Sequence, residues 1–225
     1  MCQATVFGQK KYEMVVEKTD GTEIAVNVED IVRTFFRETY TSCPDGNHPH
    51  MIDLGLPSGT KWACCNVGAS APEQYGNYYA WGETSPKSEY NWDTYQYGSS
   101  IDNVVNSGSD IAGTGYDAAT ANWGSPWRMP SQAQIQELLN YCTSTWTTQN
   151  GVNGQEFTGP NGGTIFLPAA GRRWNGELDD AAGDYWSSTP YESSPYNAYL
   201  LYFDSGIAYW YSIGRSDGLT VRPVR

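Results

Sequence analysis

The sequence predicts an α+β fold with few helices, many short antiparallel strands and long loops. From Thr158 onward, short runs of β-branched and aromatic residues dominate the chain. Helical patterns are few, and the clearest lies directly after Pro130. Residues 82–116 are rich in Gly, Ser, Asn, Asp and Tyr with little periodicity, which is typical of a long surface loop. This mixture of strands, loops and a few helices is typical of the α+β class.

The first part of the chain predicts a small separate module. Residues 12–28 contain two β-rich runs around Asp20-Gly21, a dipeptide that favours a hairpin turn. Residues 29–38 have apolar residues at helical spacing and predict a short amphipathic helix. Residues 41–49 are turn-rich and predict a linker. We therefore expect an N-terminal hairpin and helix module with its linker at 1–49, and a main domain at 50–225.

The main domain opens with a Gly-Pro turn that we expect between short strands within residues 51–69. Its clearest helix follows Pro130, where Ser131 and Gln134 form a capping-box pattern. Residues 117–122 predict a shorter helix. The predicted strands then follow in this order: 164–170, 183–188, 197–203, 207–211 and 219–222. A tight hairpin is expected at 204–206, between two of these strands.

Composition restricts the classes of function. The formal charge of -12 argues against a nucleic-acid partner, because phosphate binding requires clustered Lys and Arg. No stretch approaches the roughly 20 apolar residues of a membrane span, and no signal peptide is visible at the start of the sequence. The 5 cysteines are odd in number and contain no Cys-x-x-Cys, which argues against a disulfide framework or a zinc knuckle.

Residues that could perform catalysis or bind metal are sparse. The only two histidines, His48 and His50, lie in the predicted linker without a third ligand. Catalytic schemes that need a histidine are therefore excluded in the main domain, and we expect no cofactor and no metal. The carboxylates of Asp179, Asp180 and Asp184 lie near aromatic residues, a combination that glycosidases also use. A glycan-acting hydrolase therefore stays open as an alternative to a protein without enzymatic activity.

The segment from residue 171 to residue 225 has the composition of a recognition surface. Tyr provides large contact area at low entropic cost, and small polar residues adapt their hydrogen bonds to a ligand. Among the nine tryptophans, Trp81, Trp123 and Trp127 are expected to be structural. Trp174 and Trp210 are expected to be exposed. The candidate contact residues are Trp174, Asp179, Asp180, Tyr191, Ser194, Tyr196, Asn197, Tyr209, Trp210, Tyr211, Ser212 and Asp217.

Several sequence blocks, in order, resemble a known family. They are 53–63 (DLGLPSGTKWA), 66–69 (NVGA), 79–83 (YAWGE), 127–130 (WRMP), 167–171 (LPAAG), 185–188 (YWSS) and 221–224 (VRPV). They resemble the C-type-lectin-fold domains of bacterial surface and phage proteins, which are related in fold to the formylglycine-generating enzyme. Within that group the chain is most similar to the variable proteins of diversity-generating retroelements, such as the phage major tropism determinant.

The resemblance implies a fold, a function and further site residues. It implies a C-type lectin fold over residues 50–225 and display on a cell or phage surface. In such proteins a reverse transcriptase rewrites adenines in the C-terminal gene segment, and the altered side chains line a ligand-binding face. Asn-type codons changed in this way also reach four further residues, which the resemblance adds to the site: Leu201, Ile213, Ser216 and Leu219. Trp174 and Trp210 are not reachable from such codons.

The expected function is therefore binding without catalysis. The partner is an unknown protein or glycan, and the N-terminal module is expected to join the domain to a larger surface assembly. Two alternatives stay open: an invariant adhesin module of the same fold, and the glycan-acting hydrolase. Cysteines late in the domain, a histidine cluster and the sugar-binding signatures of calcium-dependent lectins are all absent from the sequence, so the other activities of this fold are not implied.

Overall fold

A computed structural model describes residues 13–17, 23–27, 51–98, 109–179 and 181–225 of the protein. Contacts within the chain divide it into two units, Met1–Glu38 and Thr39–Arg225. In the first unit, β1 (Glu13–Glu17) pairs antiparallel with β2 (Glu23–Asn27), which confirms the predicted hairpin. The turn residues Asp20 and Gly21, the predicted helix and the predicted linker lie outside the described residues.

The described part of the second unit contains two helices and small antiparallel sheets, so the fold is α+β. The helices are α1 (Ala118–Trp123) and α2 (Gln132–Tyr141). In chain order the strands are β3 (Met51–Asp53), β4 (Lys61–Ala63), β5 (Thr143–Gln149), β6 (Val152–Thr158), β7 (Thr164–Pro168), β8 (Arg172–Trp174), β9 (Glu177–Asp179), β10 (Gly183–Pro190), β11 (Asn197–Phe203), β12 (Ala208–Gly214) and β13 (Gly218–Leu219). The sheets are ordered β3-β4, β5-β6-β7, β13-β8-β9 and β10-β11-β12.

Both predicted helices of the main domain are present, and each is capped by a side chain. The Ser131 hydroxyl accepts a hydrogen bond from the Gln134 amide, and the Gln134 side chain accepts one from the Ser131 amide, which confirms the capping box of α2. At α1 the buried Asp117 carboxylate accepts hydrogen bonds from the amides of Ala119, Thr120 and Met129. One carboxylate therefore caps the helix and also ties it to the chain segment that leads into α2.

Strands β10 and β11 run between two hydrophobic cores, because successive side chains of a strand point to opposite faces. Leu201 and Phe203 of β11 belong to one core, together with α2 and the β6-β7 hairpin. Ala198 and Leu200, on the other face of β11, belong to the second core with α1. Both faces of β11 are therefore covered by protein.

The C-terminal segment closes the domain onto its beginning. Ala63 donates its amide to Pro223, and Arg225 donates its amide to Lys61. The Arg222 guanidinium is buried and donates to Asn66 Oδ1 over 2.8 Å, as well as to three backbone carbonyl groups nearby. These bonds satisfy a charged group far from water, so the sequence block 221–224 is part of the interior.

Candidate functional site

The exposed aromatic residues of the predicted site are concentrated on β12. This strand lies at the edge of the β10-β11-β12 sheet, and its residues 209–211 are exposed. Tyr209 is 39% exposed, Trp210 42% and Tyr211 55%, which is unusual for three consecutive large aromatic side chains. We call these three residues, together with Tyr199 and Tyr202 of the neighbouring strand, the aromatic edge.

Ring contacts hold the aromatic edge in place. On one side of the sheet Trp210 meets Tyr199 edge-to-face, with ring centroids 5.4 Å apart. On the other side Tyr209 lies 5.1 Å from Tyr202 and 6.2 Å from Tyr211. Such aromatic pairs are each worth about 0.5–1.5 kcal/mol beyond the burial of area. The rings are therefore ordered before any ligand arrives, which lowers the entropic cost of binding.

Two carboxylates flank these rings and are oriented by tyrosine hydroxyls. Tyr199 donates to Glu192 Oε2 over 2.9 Å, and Tyr202 donates to Asp204 Oδ2 over 3.2 Å. Burial raises the pKa of Tyr199 to about 12, and the hydrogen bond to Glu192 adds to that effect, so the hydroxyl stays a donor. Backbone N–H groups lower the pKa of Asp204, and a backbone hydrogen bond together with the Tyr199 hydroxyl lowers the pKa of Glu192. Both carboxylates are therefore charged at neutral pH.

A second group of aromatic rings meets the predicted site at Tyr196. Trp92 lies edge-to-face against Tyr196 at 5.8 Å and against Tyr95 at 5.5 Å. The series continues from Tyr95 to Tyr97 and from there to Tyr116. The composition of residues 82–116 predicts only a long surface loop and does not predict these ring contacts. Four aromatics within the eight residues 90–97, in an otherwise polar stretch, were the signal that could have identified this group.

The hairpin of β8 and β9 presents Trp174 separately from the aromatic edge. Its turn is Asn175-Gly176, and both residues have positive φ angles, of 49° and 80°. Trp174 is 51% exposed. A shallow depression of about 140 Å³ adjoins it, lined by Arg172, Trp174, Glu177, Leu178 and Asp179. Ligand pockets for drug-sized molecules measure about 300–1,000 Å³, so this hairpin is a contact surface and not a closed pocket.

Four predicted contact residues lie in the interior, and their expected exposure is corrected. Leu201 and Leu219 are buried in the two hydrophobic cores. Ser216 and Asp217 are also buried. The reason is the order of the strands, which places β11 between two cores and covers the chain around β13. Tyr191, Ser194, Asn197, Ser212 and Ile213 are half-buried, Tyr196 and Asp179 are exposed, and Asp180 lies outside the described residues.

A buried group of charges lies beneath the β8-β9 hairpin. The Arg172 guanidinium is 3.6 Å from the Asp217 carboxylate, and both Asp217 and Asp184 of β10 are buried. Burial raises the pKa of each carboxyl to about 6, although Arg172 opposes the shift in both cases. The removal of these groups from water therefore outweighs the attraction of one arginine.

Two features are absent from the part of the chain that the structure describes. Within those residues no group of three or more His, Cys, Asp or Glu side chains is arranged to hold a metal ion. None of the helices described there has the length and apolar character needed to cross a bilayer.

Comparison with known proteins identifies a family. Neither the search of curated proteins nor the search of solved structures gave a match. The family described as the Lcl C-terminal domain matches residues 58–225, which is more than half of the chain and contains the aromatic edge and the β8-β9 hairpin. Membership of this family is consistent with a variable protein. The chain therefore belongs to the Lcl C-terminal domain family.

Proposed function

We propose that this protein binds ligands without catalysis, as a receptor or adhesin with a C-type lectin fold. We further propose that adenine-directed retroelement mutagenesis diversifies its exposed C-terminal residues. The observation that carries the proposal is the aromatic edge. Three consecutive exposed aromatics stand on β12, next to a strand that is buried on both faces.

The surroundings of the aromatic edge support recognition rather than chemistry. Tyr and Trp with polar neighbours are the residues that binding surfaces use for large contact area at low entropic cost. The rings pack against one another, and two of their hydroxyl groups hold carboxylates.

Burial narrows the set of residues proposed to vary. A position can be rewritten without loss of the fold when its side chain is exposed, because surface substitutions usually change stability by less than about 0.5 kcal/mol. Tyr209 and Tyr211 meet this condition, and adenine-directed changes of an Asn-type codon reach both. Leu201 and Leu219 do not meet it, because they fill the cores.

Binding is tested on a glycan and protein array with the full chain. The double variant Trp210→Ala, Tyr211→Ser is compared with wild type and with Tyr141→Ala on α2. Tyr141 is 53% exposed and thus matches Tyr211 in residue type and exposure. We expect the array signals of the wild type to be lost in the double variant and kept in the control. Signals that survive in the double variant would place the ligand elsewhere and reject the aromatic edge.

Diversification is tested by sequencing the gene and its surroundings from many isolates. We expect a neighbouring reverse transcriptase gene and a near-copy of the segment that encodes residues 171–225, with differences confined to adenines. Codons for exposed residues should vary, and the codons for Leu201 and Leu219 should stay constant. An unvarying gene without such a copy would leave an invariant adhesin, which is the alternative to diversification.

A further inference from the structure

The charge of the region around the aromatic edge has one sign. The 41 residues from Trp174 to Gly214 contain six acidic side chains and neither Lys nor Arg. They include the whole β10-β11-β12 sheet. Glu192 and Asp204 are the two acidic residues among them that are bonded to the rings of the aromatic edge. Neither Glu192 nor Asp204 belongs to the ion pairs of the described residues, so a partner that docks here meets aromatic surface beside two carboxylates without a basic partner.

We propose that the aromatic edge binds a basic protein surface, whose Lys or Arg side chains lie against the rings and bond to the carboxylates of Glu192 and Asp204. This inference rests on the proposed binding function and specifies its partner. Aromatic rings attract cations to their faces, most strongly when water is excluded. Carboxylates form charge-assisted hydrogen bonds with Lys and Arg.

The same domain already combines these groups with its own basic residues. Lys87 Nζ is 2.9 Å from the Glu83 carboxylate and lies over the rings of Tyr90 and Tyr95, at 5.4 and 5.8 Å from their centroids. Arg215 lies over Trp81 at 4.2 Å. Arg173 lies over the ring of Tyr78 in the same way. Among the described residues, no Lys or Arg lies over a ring of the aromatic edge. The edge thus has the rings and carboxylates of this arrangement and lacks the cation.

The geometry of the two carboxylates favours this partner over an acidic or neutral one. Each carboxylate uses one oxygen for a tyrosine hydroxyl, and Asp204 Oδ1 also accepts the amides of Gly206 and Ile207. These bonds fix the position of the charge and lower the pKa of both groups. An anionic partner would be repelled, and a neutral partner would remove the carboxylates from water without supplying a counter-charge.

The test measures the affinity of the full chain for three short peptides. The peptides share one Gly-Ser sequence and differ only in carrying Arg, Gln or Glu at the same positions. We expect only the Arg peptide to bind, with affinity that falls as salt is added. The double variant Glu192→Gln, Asp204→Asn keeps the shape of both side chains and should weaken binding by about tenfold. The control double variant Asp53→Asn, Glu73→Gln removes the same charge outside this sheet and should change binding by less than about twofold.

Two outcomes would overturn the proposal. Equal weakening by both double variants would show a general effect of net charge, and equal binding of the Arg and Gln peptides would show that the cation does not matter. The array separates this failure from a failure of the proposed function. Wild-type array ligands that are neutral or acidic, and that depend on Trp210 and Tyr211, would keep the aromatic edge as a binding surface and reject the basic partner. If no ligand or peptide depends on the aromatic edge, both proposals fail.

Discussion

Strands β11 and β12 have the same length and are adjacent in one sheet, yet their environments are opposite. Their residues pair in unbroken register, from Asn197↔Gly214 to Phe203↔Ala208. Five of the seven side chains of β11 are buried, whereas no side chain of β12 is. Both strands are rich in aromatic and apolar residues. The difference therefore comes from position, since β11 pairs with a strand on each side and contributes side chains to both cores, whereas β12 pairs with β11 alone in the described part of the chain.

This difference separates stability from recognition within one hairpin. Leu201 and Phe203 pack in the core that includes α2, whereas Tyr209 and Tyr211 are exposed on the protein surface. A change in β11 must be accommodated by two packed cores, and interiors are too densely packed to adjust freely. A change at Tyr209, Trp210 or Tyr211 of β12 instead alters the exposed surface that we propose to bind ligands. The hairpin thus places the residues that we propose to vary on a fixed support.

The largest effect is expected for Leu201→Ala. Truncation of a leucine that is 1% exposed leaves a cavity in the core, so the free energy of unfolding should fall by about 2–5 kcal/mol. Chemical denaturation followed by tryptophan fluorescence measures this change. Leu178→Ala in β9 is the matched control, since Leu178 is exposed and should lose less than about 1 kcal/mol. Equal losses in the two variants would contradict the assignment of β11 to the interior.

Local sequence patterns predicted much of this hairpin, because they report on nearest neighbours along the chain. The predicted strand 197–203 coincides with β11, and the turn at 204–206 joins it to β12 as expected. Two other hairpins were missed. Asn150-Gly151 and Asn175-Gly176 have positive φ angles at both residues and form the turns of β5-β6 and β8-β9. Asn-Gly is a strong hairpin signal, so these could have been predicted from the sequence.

The burial of individual site residues was harder to predict, because it depends on contacts between distant parts of the chain. Composition identified Trp174 and the segment from Tyr209 to Tyr211, which are exposed. Leu201 and Leu219 were added to the site because an Asn-type codon can reach leucine. That argument contains no information about the order of the strands, so it could not show that both residues are buried. Only the pairing of β11 with β10 and β12, and the packing of α1 and α2 on that sheet, determines which positions face water.

An intermediate effect that depends on pH is expected for Asp184→Asn in β10. Burial raises the pKa of Asp184 in the folded protein to about 6, above the value of about 4 in an unfolded chain. Below pH 4 the carboxyl is protonated in both states. As the pH rises from 4 to 7 the unfolded state loses its proton more readily, so the wild type loses stability over this window. Asparagine has no proton to lose and avoids this loss.

Unfolding free energies of the two proteins at pH 4 and pH 7 measure the effect. The free energy of unfolding of Asp184→Asn, relative to that of the wild type, should increase by about 1–3 kcal/mol from pH 4 to pH 7. Asp93→Asn is the control, because it removes a carboxylate that is exposed to water, and this increase is not expected for it. A constant difference for Asp184→Asn as well would mean that the sheet interior does not penalise this charge.

The smallest effect on stability is expected for Tyr211→Ser, a substitution that adenine-directed mutagenesis of an Asn-type codon also allows. Tyr211 is 55% exposed, so the free energy of unfolding should stay within about 0.5 kcal/mol of wild type. Tyr199→Ser in β11 is the comparison, because Tyr199 is buried against Tyr191 and Trp210 and bonds to Glu192. It should cost more than Tyr211→Ser in the same denaturation experiment. If the two substitutions reduce the free energy of unfolding equally, β12 tolerates change no better than β11. The proposal that β12 carries the diversified residues would then be wrong. A near-zero cost at Tyr211, combined with lost binding on the array, would show that β12 can change what the protein recognises without changing how well it folds.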